Sequence, residues 1–183
     1  MKKVSLLGLI AILSLLIPPI SYAKELPNEI VEKNTSPVPS PKVKEIARDD
    51  RFIAYADGTV LDTKTNLMWA SKDNGSNVNW KTGKSYCEKY MGGGYKDWRM
   101  PRPDELAGLY DPSQSYQVTG ESYIVHLTKL IQLSSNACWT SETRFSIFGG
   151  SNVAAFHFGS GERFWVSQTL TDGYRVLPVR TGK

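Results

Sequence analysis

The sequence predicts an α+β domain over residues 51–183, with two helices early and a mostly antiparallel sheet late. Three observations predict it: two segments with helical spacing and helix-end signals, short apolar runs separated by turn residues, and a concentration of aromatic residues. Nineteen of the twenty aromatic residues of the 183-residue chain, including all five tryptophans, lie from Phe52 onward. Because aromatic side chains bury large apolar areas, this part of the chain can build one core of its own.

Short apolar runs bounded by turn residues predict strands at both ends of this domain. The early strands are residues 51–55 and 67–70, with a turn at Asp57-Gly58 between them. The late strands are residues 139–141, 153–158, 163–168 and 174–180. Residues 159–162, which contain two glycines, predict a hairpin between two of these strands. Pro178 indicates that the last strand lies at an edge or ends there.

The first helix is predicted over residues 79–91. Trp80, Cys87 and Tyr90 recur there at helical spacing, which predicts one face turned to the core. Gly92-Gly93-Gly94 follows directly and is typical of a helix end, because glycine tolerates the left-handed backbone that ends many helices.

The second helix is predicted to begin at Pro103. Proline suits the first turn of a helix, where its missing N–H is not needed. Asp104 and Glu105 follow, and carboxylates are favourable at the positive end of the helix dipole. Three apolar positions should then face the core: Leu106, Leu109 and Tyr110.

The first 23 residues are typical of a secretory signal peptide. Lys2 and Lys3 precede an apolar run from Val4 to Ile17, and Ser21-Tyr22-Ala23 offers small residues at the two positions that a signal peptidase recognises. The alternative is an uncleaved membrane anchor, although the run is shorter than the roughly 20 residues that a span requires. Cleavage would leave 160 residues in the periplasm or outside the cell, with no stable membrane span.

Residues 24–50 predict an extended, disordered spacer. This segment has no aromatic residue, four prolines, and five basic against six acidic residues. Such a composition cannot bury enough apolar surface to offset the entropy of ordering it. We therefore expect it to give the domain reach from a surface or from another domain.

Cys87 and Cys138 are the only cysteines. In an oxidising compartment an even count favours a disulfide, which would stabilise the domain by roughly 4 kcal/mol in the chain-entropy model. Two free thiols or a soft-metal pair are the alternatives. The net charge is +4, and Lys2 and Lys3 of the predicted signal peptide supply two of those charges. The remaining charge is too small to predict nucleic-acid binding.

Several ordered motifs resemble the Lcl C-terminal domain family, which takes its name from a bacterial collagen-like adhesin. They comprise Asp57-Gly58-Thr59-Val60 with residues 62–69, then Trp80, Tyr86-Cys87, residues 93–101 and Glu105-Leu106, and finally residues 138–141 and 176–180. The resemblance extends from about Phe52 to Arg180. It implies a fold related to C-type lectin-like and formylglycine-generating-enzyme-like domains. It also implies, by analogy with the adhesin, binding of sulphated glycosaminoglycans or other surface molecules.

Two positions depart from the family pattern. Arg102 stands where the family usually has a threonine that caps the second helix, and the lost cap would cost about 1 kcal/mol. No collagen-like Gly-X-Y tract precedes the domain in this sequence. That absence puts the trimeric, multivalent binding of the adhesin in doubt for this chain.

The residues of the family motifs are expected to build the scaffold. We expect Arg99 to pair with a nearby carboxylate such as Asp97 or Glu105, and Trp98 to fill the core. The alternative is that Arg99 clamps an anionic ligand while Trp98 stacks on it. The full set of expected scaffold residues is Trp69, Trp80, Asp97, Trp98, Arg99, Glu105, Trp139 and Arg180.

The function that these features favour is a lectin-like adhesion module, periplasmic or extracellular, that binds a glycan or another surface polymer; in one version of the hypothesis the ligand is anionic. The predicted ligand-binding residues are Arg144, Arg163, Arg175 and Trp165, since arginines and an exposed ring can bind and stack on sugars. Ordinary solvated charge is the alternative for them. Loops 111–122 and 141–152 are further candidate binding surfaces. A structural or assembly module that binds an envelope protein is the main functional alternative.

An enzyme, a cofactor and a metal site are not predicted. His126 and His157 are the only histidines, and neither the zinc-ligand patterns nor a nucleophile motif is present. A formylglycine-generating-type enzyme would need both cysteines reactive and close together. Four residues could supply oxygen ligands to calcium, but turn hydrogen bonds account for them more simply: Asp57, Asp62, Asp73 and Asn74.

Overall fold

The computed structural model describes residues 43–145 and 151–182. The predicted signal peptide and residues 24–42 of the predicted spacer therefore lie outside the described residues. The strands are β1 (Glu45–Asp49), β2 (Phe52–Tyr55), β3 (Thr59–Asp62), β4 (Leu67–Ala70), β5 (Tyr116–Gln117), β6 (Ile124–Val125), β7 (Ala137–Phe145), β8 (Ser151–His157), β9 (Glu162–Ser167), β10 (Tyr174–Arg175) and β11 (Val179–Thr181). The helices are α1 (Trp80–Lys89) and α2 (Pro103–Leu109), with a 3₁₀ turn over Gly92–Gly94. The predicted α+β class, with two helices and mostly antiparallel sheets, is confirmed.

A five-stranded antiparallel sheet forms the first layer, in the order β1-β2-β3-β4-β11. Its register places Ala54, Val60, Trp69 and Val179 in one row across four strands. All four are buried in the main core. Because successive side chains alternate between the two faces of a sheet, Met68 and its partner Arg180 occupy the opposite face.

β1 corrects the predicted extent of the spacer. Residues 45–49 fall inside the segment expected to be disordered, yet they pair with β2 at the edge of the sheet. Ala47 packs against the core, and the hydroxyl of Thr128 donates to the carboxylate of Asp49 at 2.5 Å. Composition did not predict this strand because only Ala47 of its apolar residues packs against the core, Ile46 is exposed, and the partner strand β2 comes from later sequence.

A four-stranded sheet forms the second layer, in the order β10-β7-β8-β9. The predicted β8–β9 hairpin is present as an antiparallel pair. β7 continues to Phe145, beyond the predicted end of that strand at Ser141, so much of the expected loop 141–152 is strand and residues 146–150 lie outside the described residues. The single strand predicted over 174–180 is two strands: β10 pairs in parallel with β7, and β11, after Pro178, pairs with β4.

The end of α1 and the start of α2 carry the expected signals, and α1 begins with a cap that was not predicted. The side chain of Asn79 accepts from the backbone N–H of Thr82 and caps α1, and Gly93 takes the left-handed backbone just after this helix. α2 begins at Pro103; Arg102 offers no acceptor, and Glu105 instead accepts from the backbone N–H of Arg102. Neither helix among the described residues has the length and apolar character needed to cross a membrane.

Two apolar clusters lie on opposite faces of the four-stranded sheet. The main cluster joins this sheet to α2 and to the five-stranded sheet, and Phe156 and Leu106 are among its residues. The second cluster joins the sheet to α1 and centres on Trp139. Gly83 of α1 faces the Trp139 ring, and a Cβ atom there would lie 3.4 Å from it, an ordinary van der Waals distance.

The predicted disulfide between Cys87 and Cys138 is wrong. Both cysteines are free and buried. Cys138 and Trp139 are neighbours on β7 and therefore point to opposite faces of the sheet. Cys87 packs in the cluster that contains Trp139, whereas Cys138 packs in the main cluster. The sheet separates the two thiols, which no count of cysteines in the sequence could show.

Candidate functional site

Three of the four predicted ligand-binding residues lie together at one end of the four-stranded sheet. Arg163 and Trp165 are two residues apart on β9 and share a face, and Arg144 of β7 lies on the same face. The guanidinium carbon of Arg144 is 4.3 Å from the centre of the Trp165 ring, and that of Arg163 is 5.6 Å away. We call these three residues the arginine–tryptophan patch.

The local sequence explains how the patch forms. Opposite Trp165, β8 carries the small, buried residue Ala154. A small cross-strand neighbour leaves room for the indole ring on the sheet surface. On the same face of β8, Phe156 belongs to the main core and is the cross-strand partner of Arg163, so the patch borders the core directly.

The two arginines of the patch differ in their charge partners. Arg163 forms an ion pair of 2.9 Å with Glu142, and both side chains are more than a third exposed. Such an exposed pair adds little stability and exchanges readily with other partners. Among the described residues no carboxylate lies within ion-pair distance of Arg144. Its cationic group is therefore available to an incoming anion.

Arg175, the fourth predicted ligand-binding residue, lies elsewhere. Its guanidinium donates to the hydroxyl of Ser134 at 2.8 Å and also bonds the side chain of Asn77. Arg175 is half-buried, and these hydrogen bonds connect the segment that contains Asn77 to the segment that contains Ser134. The structure therefore separates it from the patch, because β10 lies on the other side of β7 from β8 and β9.

The charged motif residues form two bidentate pairs. Arg99 bonds both oxygens of Glu105 at 2.6 and 2.7 Å, one of the two partners expected for it. Asp97 instead bonds Arg180, at 2.7 and 2.9 Å. Arg180 is fully buried and also lies 3.9 Å from the centre of the Tyr95 ring.

Four tryptophans lie inside the scaffold. Trp69, Trp98 and Trp139 are buried, and Trp80 is half-buried. The ring nitrogens of three of them donate to backbone carbonyls: Trp80 to Thr140 at 2.8 Å, Trp98 to Gly92 at 3.1 Å and Trp139 to Val78 at 2.7 Å. The ring nitrogen of Trp69 has no acceptor among the described residues. Trp165 is half-buried like Trp80, but its ring lies against two guanidinium groups at the sheet surface.

The order and positions of these motifs agree with a family model. The model described as the Lcl C-terminal domain matches residues 58–180, which are 123 of the 183 residues. The chain belongs to the Lcl C-terminal domain family. No curated protein matches the chain. In this Lcl C-terminal domain both arginine–carboxylate pairs and the whole patch lie inside the matched region, whereas β1 and β2 precede it.

The nucleophilic and metal-ligating side chains of this domain are engaged in packing and turns. Burial raises the pKa of the Cys87 and Cys138 thiols well above the ordinary value. His126 contacts the carbonyl of Gln114, and His157 accepts from the backbone N–H of Ser160. Within residues 43–145 and 151–182, no three histidine, cysteine or carboxylate side chains are grouped as metal ligands.

The aspartates considered for calcium make turn hydrogen bonds. Asp57 accepts from the backbone N–H and the hydroxyl of Thr59, and Asp62 accepts from the backbone N–H of Lys64. Asp73 accepts from Gly75. Their positions in three separate turns explain the residue type at each.

A cavity of about 450 Å³ was not anticipated from the sequence. Lys72, Tyr116, Lys129 and Ser134 are among the residues that line it. They come from segments far apart in the chain, so no spacing or motif connects them. The cavity becomes visible only when these segments are brought together by the fold.

Proposed function

We propose that this Lcl C-terminal domain is an exported binding module that recognises a glycan or another polymer of a cell surface through the arginine–tryptophan patch. The ligand is anionic, and binding involves no covalent chemistry. The observation that carries the proposal is the position of Arg144: its guanidinium lies over the half-exposed Trp165 ring and has no carboxylate partner among the described residues.

The chemistry of the patch suits an anionic sugar. An indole ring can stack on the apolar face of a sugar ring. Arginine donates charge-assisted hydrogen bonds to sulfate or carboxylate groups, often in pairs. Arg163 can exchange its exposed partner Glu142 for a ligand at little cost in stability. The patch thus offers two cations around one indole ring.

Non-covalent recognition is supported by the state of the thiols. Only the thiolate is nucleophilic, and burial holds the thiols of Cys87 and Cys138 in the neutral form. Export is supported by the signal-peptide pattern of residues 1–23. A lectin-like fold is supported by the family resemblance and by the mostly antiparallel sheets and two helices of the described residues.

Heparin-affinity chromatography at two salt concentrations tests the proposal. At low salt we expect retention of the protein, and at about 1 M salt we expect its loss, since the screening length falls from roughly 10 to 3 Å. Arg144→Gln/Arg163→Gln should elute at clearly lower salt, and Trp165→Ala should also elute earlier. The matched control is Lys81→Gln/Lys96→Gln, which removes the same charge from two exposed lysines.

Two outcomes would contradict the proposed function. The first is a protein that heparin does not retain at low salt. The second is equal loss of retention in the patch variant and the lysine control, which would reduce the effect to net charge. The unfolding temperatures of all variants show whether any loss of heparin retention results from destabilisation of the domain.

A further inference from the structure

We propose a second ligand site in the cavity between Lys72 and Lys129, for a hydroxylated organic acid of monosaccharide size. The site shares no residue with the arginine–tryptophan patch and does not depend on the proposed function. Its volume of about 450 Å³ lies within the range of small-molecule sites in proteins, about 300–1,000 Å³.

Backbone pairing fixes the floor of the cavity. Lys72 forms a parallel bridge with Gln132. The backbone N–H of Gln132 donates to the carbonyl of Ser71 at 2.8 Å, and that of Asp73 donates to the carbonyl of Gln132 at 3.3 Å. Both segments are therefore held in place before any ligand enters, and a preformed site loses less entropy on binding.

Tyr116 forms a rigid wall. Its hydroxyl donates to the carbonyl of Ile131 and accepts from the backbone N–H of Leu133, both at 2.8 Å. Burial raises the pKa of this hydroxyl to about 12, so it remains neutral. With its polar atom engaged by the protein, Tyr116 offers the cavity an aromatic ring on which the apolar side of a sugar can lie.

The charges around the cavity favour an anion. Lys72 and Lys129 are exposed, and among the described residues neither has a carboxylate within ion-pair distance. The one carboxylate in the lining, Asp73, already accepts from the backbone N–H groups of Gly75 and Ser134 at 2.8 and 2.6 Å. Arg175 donates to the hydroxyl of Ser134, so a third cation lies beside Asp73.

The remaining lining explains the preference for a hydroxylated ligand. Thr119 and Gln132 place a hydroxyl and an amide group beside the cavity, whereas the Ser134 hydroxyl already donates to Asp73 and accepts from Arg175. Such groups both donate and accept, as sugar hydroxyls require. The ligand that fits this lining has a carboxylate that pairs with the lysines, several hydroxyls that bond the polar side chains, and one apolar face that lies on Tyr116. An acidic monosaccharide has all three features.

Galacturonate and uncharged galactose form a matched pair of probes. In two-dimensional NMR titrations of the full-length protein we expect galacturonate to shift the amide signals of Gly75 and Gln132. Galactose should bind at least tenfold more weakly. Lys72→Gln/Lys129→Gln should weaken galacturonate binding at least tenfold, whereas Lys81→Gln/Lys96→Gln should leave it unchanged. The patch variant Arg144→Gln/Arg163→Gln should also bind galacturonate normally, which separates this site from the heparin test.

Three results would overturn the proposal. They are the absence of shifts at Gly75 and Gln132, equal affinity for galactose and galacturonate, and unchanged galacturonate binding in Lys72→Gln/Lys129→Gln. Both lysines are exposed, so this variant is expected to fold, and its unchanged amide spectrum without ligand checks that expectation.

Discussion

Arg180 and Asp97 form an ion pair in which Arg180 is buried and Asp97 remains exposed to solvent. The side chain of Arg180 is 1% exposed, whereas that of Asp97 is 61% exposed. Removal of Arg180 and removal of Asp97 therefore have different consequences for stability. A carboxylate without its arginine can be hydrated where it stands, but a guanidinium without its carboxylate remains buried and uncompensated.

Asp97→Ala is accordingly predicted to destabilise the domain by about 2–4 kcal/mol, because it leaves a buried charge without its bidentate partner. Urea unfolding at neutral pH measures this value. The double variant Asp97→Ala/Arg180→Met should recover at least about 1 kcal/mol relative to Asp97→Ala, since methionine removes the stranded charge. A double variant less stable than Asp97→Ala would show that the Arg180 stack on Tyr95 outweighs the cost of the stranded charge.

The thiols give a second prediction for single residues. Cys87 and Cys138 are buried, and their raised pKa values leave almost no thiolate at pH 8. We expect Ellman's reagent to detect no thiol in the folded protein and two thiols after unfolding in guanidinium chloride. Met91→Cys is the positive control, because Met91 is 54% exposed and should react at once.

An unfolded, unreduced protein with no reactive thiol would contradict the free-cysteine structure. Rapid reaction of the folded protein would contradict the burial of the thiols. The two failures are distinguishable, because the first concerns the bond between the sulfurs and the second concerns their access to solvent.

At the residue scale, the sequence predicted the kind of interaction that a residue makes better than it predicted which residue is the partner. It predicted a carboxylate partner for Arg99 and placed arginines with Trp165 on one sheet, because residue type and strand alternation are local. It misassigned the cysteine pair and grouped Arg175 with the patch. Those assignments depend on which face of β7 each element covers and on the side of β7 that β10 joins, and neither is encoded in spacing.

Among the elements, α2 depends on one side chain at its start. Glu105 accepts from the backbone N–H of Arg102 at 2.7 Å and binds Arg99 through both oxygens. Burial opposes its ionisation, but the hydrogen bonds outweigh burial, and the pKa of Glu105 lies below its ordinary value. The carboxylate replaces the cap that Arg102 cannot supply, and it ties the helix to the segment that carries Trp98.

The depressed pKa sets the direction of the pH dependence. Below the unfolded pKa of about 4.3, the unfolded chain takes up a proton at Glu105 more readily than the folded chain does. The stability that Glu105 contributes is therefore complete above that pH and is lost as the pH falls through the folded pKa.

Glu105→Gln is predicted to destabilise the domain by about 1.5–3 kcal/mol at pH 7, the usual range for hydrogen bonds to a charged group. The difference from the wild type should shrink at pH 3, because the unfolded wild-type chain takes up a proton at Glu105 there and the contribution of the carboxylate declines. Urea unfolding at both pH values measures it. Asp104→Asn is the matched control, since Asp104 is exposed and its loss should change stability only slightly. Equal destabilisation of Glu105→Gln at both pH values would show that ionisation of Glu105 does not matter.

Strands and helices were predictable to the extent that their signals are local. Gly92-Gly93-Gly94 and Pro103 marked helix ends correctly, because glycine turns and proline act within a few residues. The strand predicted over 174–180 divides instead between two sheets. Val176 and Leu177, between its two halves, are buried in different clusters, and that division follows from how the sheets pack.

For the whole molecule, the five-stranded sheet extends beyond the region that the family model matches. The match begins at residue 58, just before β3, and so excludes β1 and β2. Phe52 and Ala54 of β2 nevertheless belong to the main core. The family motif therefore marks most of the fold but leaves out one edge of its first layer.

Chains that begin at different residues test where the folded domain starts. A chain of residues 43–183 keeps β1, whereas a chain of residues 51–183 loses it together with the Thr128–Asp49 hydrogen bond and the Ala47 packing. We expect the shorter chain to be less stable by about 2 kcal/mol, which lowers the unfolding temperature by roughly 5–10 °C. Calorimetry measures the difference, and equal unfolding temperatures would show that β1 adds nothing to the sheet.

A chain of residues 58–183 is predicted not to fold. Loss of Phe52 alone removes a buried aromatic side chain, which typically costs about 3–5 kcal/mol. Loss of all of β2 also uncovers Val60 of β3 and leaves that strand as an unpaired edge. A domain of ordinary stability, about 5–15 kcal/mol, does not tolerate that sum. Circular dichroism and dispersed amide signals in NMR would detect a folded chain. If residues 58–183 folded cooperatively, the first two strands would be an addition to the domain and not a part of its core.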